Sequence, residues 1–244
     1  MTPGPGLQRT LLPLKFSASG INCGVRKYRP DIGIIISDVD AVAAGVFTLN
    51  QMRAAPVVYS QKLVPSSCVR AIVTNSGQAN AATGAEGVQT NLQLVQAAAD
   101  YLQIKPDQVL IASTGVIGVP MAIDKLLPAI PELVDRATDV AENFALAILT
   151  TDLVPKTVTH VLELSTGSVR LTGISKGSGM IHPNMATMLG YLLTDLKLDE
   201  KLCQSLLREA VEQSFNMISV DGDSSTNDCV FMLANGASGV ELKS

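Results

Sequence analysis

The chain has 244 residues, of which 47% are apolar and 16% charged, and its net charge is −4 at neutral pH. This composition excludes a disordered chain, and the scattered lysines and arginines provide no basic face for nucleic acid. No apolar stretch reaches the roughly 20 residues needed to cross a bilayer, so we expect no membrane partner. Four dispersed cysteines and two histidines argue against a zinc site, and no signal-peptide pattern opens the chain. A cytoplasmic protein without a bound metal is therefore predicted.

The first half of the chain alternates between predicted strands and helices. Short β-rich runs bounded by turn residues predict strands at 32–36, 43–47, 56–60 and 69–75. Apolar residues then recur every three or four positions and predict a helix over 86–102. A further strand is predicted at 108–113, followed by helical patterns interrupted by proline over 121–134 and a helix over 137–149.

The second half opens with two alternating segments, 157–164 and 168–175, which predict a β-hairpin. An apolar run after Thr187 predicts a buried strand, and spaced leucines predict a helix over 199–214. Residues 216–236 then predict two strands around an acidic loop. The spacing of its aspartates does not match a calcium-binding loop, so a network of turns is favoured there.

Two stretches draw attention as candidate functional sites. Thr114 and Gly115 follow a predicted strand, where backbone N–H groups are left free to form an oxyanion hole. Lys176 opens a glycine-rich stretch, KGSGMIHPNMATMLG, in which Thr187 follows the small residue Ala186 at the mouth of a strand. A hydroxyl in that position suits a self-cleaving nucleophile, although Ala-Thr pairs are common and the dipeptide alone favours a plain loop entering a strand.

Five segments together resemble the ornithine acetyltransferase family, the bifunctional glutamate N-acetyltransferase/ornithine acetyltransferase of arginine biosynthesis. They are NSGQANAATG at 75–84, IASTGVIG at 111–118, TTD at 150–152, KGSGMIHPNMATML at 176–189 and VDGDSSTND at 220–228. The resemblance implies an α/β fold with α-β-β-α layers and a precursor that cleaves itself between Ala186 and Thr187. An α-chain region, 1–186, and the start of a β-chain region, 187–244, would result.

The resemblance also implies a reaction and a set of residues for it. Thr187 would take the acetyl group from N2-acetylornithine and pass it to glutamate, with its freed α-amine as base, so that His182 is not required. Thr114 and Gly115 correspond to the family's oxyanion hole, and Thr150 and Lys176 to substrate-binding residues. The Lys176 ammonium would pair with the substrate carboxylate. No cofactor is implied, acetyl-CoA is a possible second acetyl donor, and α and β chains would assemble as a heterotetramer.

The sequence departs from the family pattern at two places. Leu153 stands where the family often has a threonine, and the chain stops at Ser244 while the family's second half continues. Two other functions therefore stay open. One is a related N-terminal-nucleophile amidase or aminopeptidase, which would release its product to water. The other is a module that binds substrate without turnover.

Overall fold

One curved β-sheet organises the part of the chain that the computed structural model describes, residues 9–181 and 188–243. Its eight strands are β1 (Phe16–Ile21), β2 (Ile32–Phe47), β3 (Ser66–Gln78), β4 (Val109–Val116), β5 (Lys156–Leu164), β6 (Gly167–Lys176), β7 (Leu189–Thr194) and β8 (Cys229–Ala234). The helices are α1 (Ala55–Leu63), α2 (Gly84–Leu102), α3 (Ile123–Asp135), α4 (Glu142–Ala147) and α5 (Glu200–Glu212). The α/β class expected from the sequence is confirmed.

The strand order in the sheet is β4-β3-β2-β8-β7-β6-β5, with β1 paired to the first part of β2. The pairs β3–β4 and β7–β8 are parallel, and the other neighbours are antiparallel. Two segments predicted as separate strands, 32–36 and 43–47, are one long strand, β2. Irregular register between Ile36 and Ala43 lets its first part pair with β1 and its second part with β8.

Alternation along the strands divides the core between two faces of the sheet. Ile34 and Val73 point to one face, where α2 and α3 cover them, and Val230 packs under α5. Ile72 and Phe231 point to the opposite face, which α4 helps to cover. Because side chains alternate in β-strands, each central strand contributes to both layers.

The segment 56–60 was expected to be a strand, and this prediction is wrong, because it lies in helix α1. Its valines favour β-structure, but Pro56 stands in the first helical turn, where a missing N–H costs nothing. The hydroxyl of Ser60 accepts from the N–H of Ile111 and donates to its carbonyl oxygen. A helix, and not the predicted strand, therefore provides hydrogen-bond partners for backbone groups of β4, the strand at one end of the sheet order.

The acidic region before β8 also differs from the expectation. Residues Phe215–Met217 form a short 3₁₀ turn, and among the described residues only the second of the two predicted strands forms, as β8. Asp221 instead accepts from the N–H groups of Met180 and Ile181, at 2.8 and 3.2 Å. None of the described helices is both long and apolar enough to cross a membrane.

Candidate functional site

A cavity of about 570 Å³ lies where the ends of β4 and β6 approach each other. Four of the residues singled out from the sequence line it: Thr114, Gly115, Thr150 and Lys176. Four strands separate β4 from β6 in the sheet, which in a flat sheet would place them about 24 Å apart. The Nζ atom of Lys176 nevertheless lies 2.7 Å from the Oγ1 atom of Thr114, so the curvature of the sheet brings these residues together.

Thr114 and Gly115, expected just after a strand, lie within the end of strand β4, which close backbone packing holds in place. These residues pair in register with Ser76 and Gly77 of the parallel strand β3. Gly115 has a φ of +137°, and a Cβ atom there would lie 2.2 Å from the carbonyl carbon of Gly77. Only glycine tolerates both the dihedral angle and this approach. This end of β4 is thus fixed with Gly115 exposed to the cavity and the Thr114 side chain buried.

Lys176, at the end of β6, is a buried cation on the wall opposite the end of β4. It is 4% exposed, and Thr114 accepts a hydrogen bond from its ammonium group. Burial is the largest influence and brings the pKa of Lys176 below its ordinary value, although the nearby carboxylates of Asp228 and Asp152 oppose it. A buried charge is tolerated when opposite charges accompany it, and here two carboxylates do so. Lys176 therefore belongs to an electrostatic cluster, in contrast to the solvated turn lysine that the sequence alone would allow.

Asp228 connects this cluster to the start of strand β7. Its Oδ1 atom accepts from the N–H of Met188 at 2.7 Å, and its Oδ2 atom is buried with no hydrogen-bond partner among the described residues. Burial raises the pKa of Asp228 to about 7, even though the N–H of Met188, the hydroxyl of Ser225 and the charge of Lys176 lower it. This carboxyl group therefore changes protonation near neutral pH.

Asp152 is the second carboxylate whose charge acts on Lys176. Its Oδ1 atom accepts from the Lys156 ammonium and from the N–H of Gly177, the latter at 2.9 Å. Burial alone would raise the pKa of Asp152, but these two donors and the charges of Lys156 and Lys176 bring it below its ordinary value. The carboxylate thus fixes the backbone just after Lys176.

Two side chains at the cavity were missed by the sequence reasoning. Asn227 donates to the carbonyl oxygens of Ala79 and Ser113, at 2.6 and 2.8 Å. It thereby joins the loop before β8 to strand β4. Arg26 reaches the cavity from the connection between β1 and β2. The run VRKYR offers three basic residues there, and nothing in the pattern distinguishes the one that points inward.

The predicted cleavage point lies outside the described residues, which leave out 182–187 and with them His182, Ala186 and Thr187. The residues flanking that segment are both fixed beside the cavity. Ile181 forms a bridge with Val220, and the N–H of Met188 is bound by Asp228. His160 lies exposed on β5, as expected for a residue near a sheet edge.

Comparison with known proteins decides the family. A sequence model of the ArgJ family matches residues 17–244. The chain belongs to the ArgJ family. The arginine biosynthesis bifunctional protein ArgJ of a Synechococcus species is 49% identical over 229 residues, and that of Thermotoga neapolitana is 44% identical over 230. Each match covers 93% of this chain but only 55% and 58% of the relative. The chain thus spans somewhat more than half the length of these ArgJ relatives.

Solved structures of the ArgJ family match the fold as well. The ArgJ structure from Bacillus halodurans is 38% identical, with a TM-score of 0.68, over 71% of this chain and 92% of that chain. The ornithine acetyltransferase of Mycobacterium tuberculosis, solved with ornithine, is 33% identical, with a TM-score of 0.67, over 75% and 97%. An aminopeptidase from Ochrobactrum anthropi with an Ntn-hydrolase fold is 12% identical with a TM-score of 0.54, a likeness of fold alone.

Proposed function

We propose that this chain is the catalytic part of a self-processing acetyltransferase that moves an acetyl group from N2-acetylornithine to glutamate. The observation that carries the proposal is the contact between Lys176 and Thr114. It unites two residues that are 62 positions apart in one cavity with Gly115 and Thr150. Membership of the ArgJ family supports the reaction, because the curated relatives are named as bifunctional proteins of arginine biosynthesis.

Self-cleavage would begin with Thr187. Its hydroxyl attacks the carbonyl carbon of Ala186, the peptide nitrogen leaves, and an ester links the two residues. That shift releases the α-amine of Thr187, and water then hydrolyses the ester into the free Thr187 hydroxyl and the Ala186 carboxylate. The reference pKa of such an amine, about 7.7–8.0, leaves it partly neutral near pH 7. The bond from Met188 to Asp228 supports this step, because it fixes the backbone directly after the nucleophile beside the cavity.

Acetyl transfer would then use the same threonine twice. The Thr187 hydroxyl, with its own amine as base, attacks the acetyl carbonyl of N2-acetylornithine and releases ornithine. Glutamate attacks the resulting acetyl ester through its amino group and leaves as N-acetylglutamate, which restores the free hydroxyl. Thr114 and Gly115 would stabilise the oxyanion of each tetrahedral intermediate. Thr150 and Lys176, which line the cavity, would contact the bound amino acid.

The lengths of the compared chains support a division into two chains. The match to each of these solved ArgJ-family chains covers 92% or 97% of that chain but only 71% or 75% of this one. Those chains are therefore shorter than 244 residues. The curated relatives are longer than this chain. A break at Ala186–Thr187 would produce an α chain of the shorter kind. Under this proposal the α and β chains stay associated, as a heterotetramer, and no bound cofactor is needed.

Two assays test the proposal. Mass spectrometry of the purified protein should give fragments that separate between Ala186 and Thr187, and a Thr187→Ala variant should stay whole. Incubation with N2-acetylornithine should then yield N-acetylglutamate only when glutamate is present. Release of free acetate at the same rate without glutamate would instead identify an amidase. Wild-type protein that binds N2-acetylornithine but forms no product would identify a binding module, and replacing the donor by acetyl-CoA tests the second acetyl source.

A further inference from the structure

Arg26 is the cation at the cavity that forms no ion pair among the described residues, although the charge of Asp31 acts on it. Lys176 already faces Asp152 and Asp228. Arg26, in contrast, takes part in none of the ion pairs found in residues 9–181 and 188–243. The nearest acidic group along its own loop, Asp31, spends both carboxylate oxygens on the N–H groups of Cys23 and Arg26, each at 2.7 Å. The half-buried guanidinium is therefore left without a carboxylate in direct contact. Burial lowers the pKa of Arg26, and the charge of Asp31 opposes this only in part.

The position of Arg26 is set by the same β3 backbone that packs against Thr114 and Gly115. Its Nη1 atom donates to the carbonyl oxygen of Leu149, the residue before Thr150, and more weakly to the hydroxyl of Ser76 at 3.4 Å. Its side-chain carbons lie over Gly77, where an added Cβ atom would be 3.1 Å from the Cγ atom of Arg26. Gly77 pairs with Gly115. The arginine is thus oriented at the cavity by the end of β3 and by the residue before Thr150 before any ligand arrives.

The donors of Arg26 are only partly used. Nη1 makes the bonds to Leu149 and Ser76, and neither Nε nor Nη2 donates to any of the described residues. A guanidinium offers five N–H groups in a planar fork that matches the two oxygens of a carboxylate. An oriented fork that faces a cavity, has free donors and forms no ion pair with the described residues is suited to a ligand carboxylate.

We propose that Arg26 binds the α-carboxylate of the amino acid substrates and so determines specificity for free carboxylates. This inference rests on the proposed function. It assigns to Arg26 the substrate carboxylate that the resemblance assigned to Lys176. N2-acetylornithine and glutamate both carry an α-carboxylate beside the nitrogen that loses or gains the acetyl group. Because both would occupy the same cavity in turn, one arginine serves both half-reactions.

The test compares N2-acetylornithine with its α-carboxamide as acetyl donors, using wild type, Arg26→Met and Arg26→Lys. Wild type should prefer the carboxylate by about 10- to 100-fold in kcat/KM, as expected when a charged hydrogen bond is lost. Arg26→Met should bring that preference close to one, and Arg26→Lys should restore part of it. KM for N2-acetylornithine and for glutamate should rise together in Arg26→Met while kcat changes little, since a ground-state anchor is lost.

Comparing two substrates within each variant removes any effect of the substitution on folding, and fragment analysis at Ala186–Thr187 reports folding separately. Arg53→Met serves as the matched control, because Arg53 is exposed and lines a different cavity. Equal use of both donors by wild type, or an unchanged preference in Arg26→Met, would overturn the inference alone. Loss of the preference in Lys176→Met but not in Arg26→Met would assign the carboxylate to the lysine. Absence of acetyl transfer to glutamate by wild type would overturn the proposed function, and this inference with it.

Discussion

The two walls of the cavity are built on different physical principles. The β4 wall is fixed by shape at Gly115, which packs against the backbone of Gly77. The β6 wall is fixed by charge: Lys176 is buried between Asp152 and Asp228. Substitutions at the first wall should act alike at every pH, whereas substitutions at the second should have effects that depend on pH. This contrast separates a geometric role from an electrostatic one.

The largest effect is expected for Gly115→Ala, which attacks the wall fixed by shape. A Cβ atom 2.2 Å from the carbonyl carbon of Gly77, at a φ of +137°, forces the backbone of the turn to move. We expect about 4 kcal/mol of destabilisation from strain and overpacking together, and an acetyl transfer rate at least about 100-fold lower. Chemical denaturation and initial rates measure the two effects.

Gly118→Ala is the matched control for that substitution. Gly118 also has a positive φ, of +77°, but an added Cβ atom would meet nothing within 4 Å. Only the conformational cost of about 1 kcal/mol should appear there. If both variants lose the same stability, close packing at Gly115 does not fix the turn. A strong pH dependence of the loss in Gly115→Ala would also contradict the contrast between the walls.

Lys176→Met should produce the next largest effect, at the wall fixed by charge. Removing the ammonium leaves Asp152 and Asp228 without a shared cation, so the folded state should lose about 3 kcal/mol at pH 8. At pH 5 the loss should be smaller, because Asp228 is already protonated in the folded state. Urea unfolding at both pH values measures the difference. Lys62→Met, at an exposed lysine, should show no such dependence.

Asp228→Asn should act chiefly on the pH dependence of stability. The folded-state pKa of about 7 lies above the ordinary value of 3.8, so the folded protein binds more protons than the unfolded chain between these values. Stability contributed by Asp228 is therefore greatest below about pH 4 and falls as the pH rises through 7. Asparagine does not titrate but can still accept from Met188. The unfolding free energy of Asp228→Asn relative to wild type should thus increase from pH 4 to pH 8, and a constant difference would contradict the assignment.

Sequence patterns were sufficient where a local rule decides the structure. Helix α2 follows from apolar spacing, and the β5–β6 hairpin from alternation and a turn. Helix α1 was missed because the bonds between Ser60 and Ile111, which hold it beside β4, join residues 51 positions apart. A local preference for β-structure carries no information about such a partner.

The candidate site divides in the same way. Thr114, Gly115, Thr150 and Lys176 were named from motifs, and the structure places all four at one cavity. The burial of Lys176 was not predictable, because it depends on sheet curvature and on carboxylates from two distant segments. Arg26 belongs to no motif, and its role is inferred only from its place at the cavity without an ion pair among the described residues. The roles of Thr187 and Ala186 stay predictions from the resemblance.

The most direct test of the central claim is to detect the acetylated threonine itself. The cleaved protein would be incubated with N2-acetylornithine in the absence of glutamate, quenched with acid, and its fragments weighed by mass spectrometry. The account predicts that the fragment beginning at Thr187 gains the mass of one acetyl group, and that adding glutamate before the quench removes it with formation of N-acetylglutamate. A cleaved protein that forms N-acetylglutamate but never carries acetyl on that fragment would contradict it.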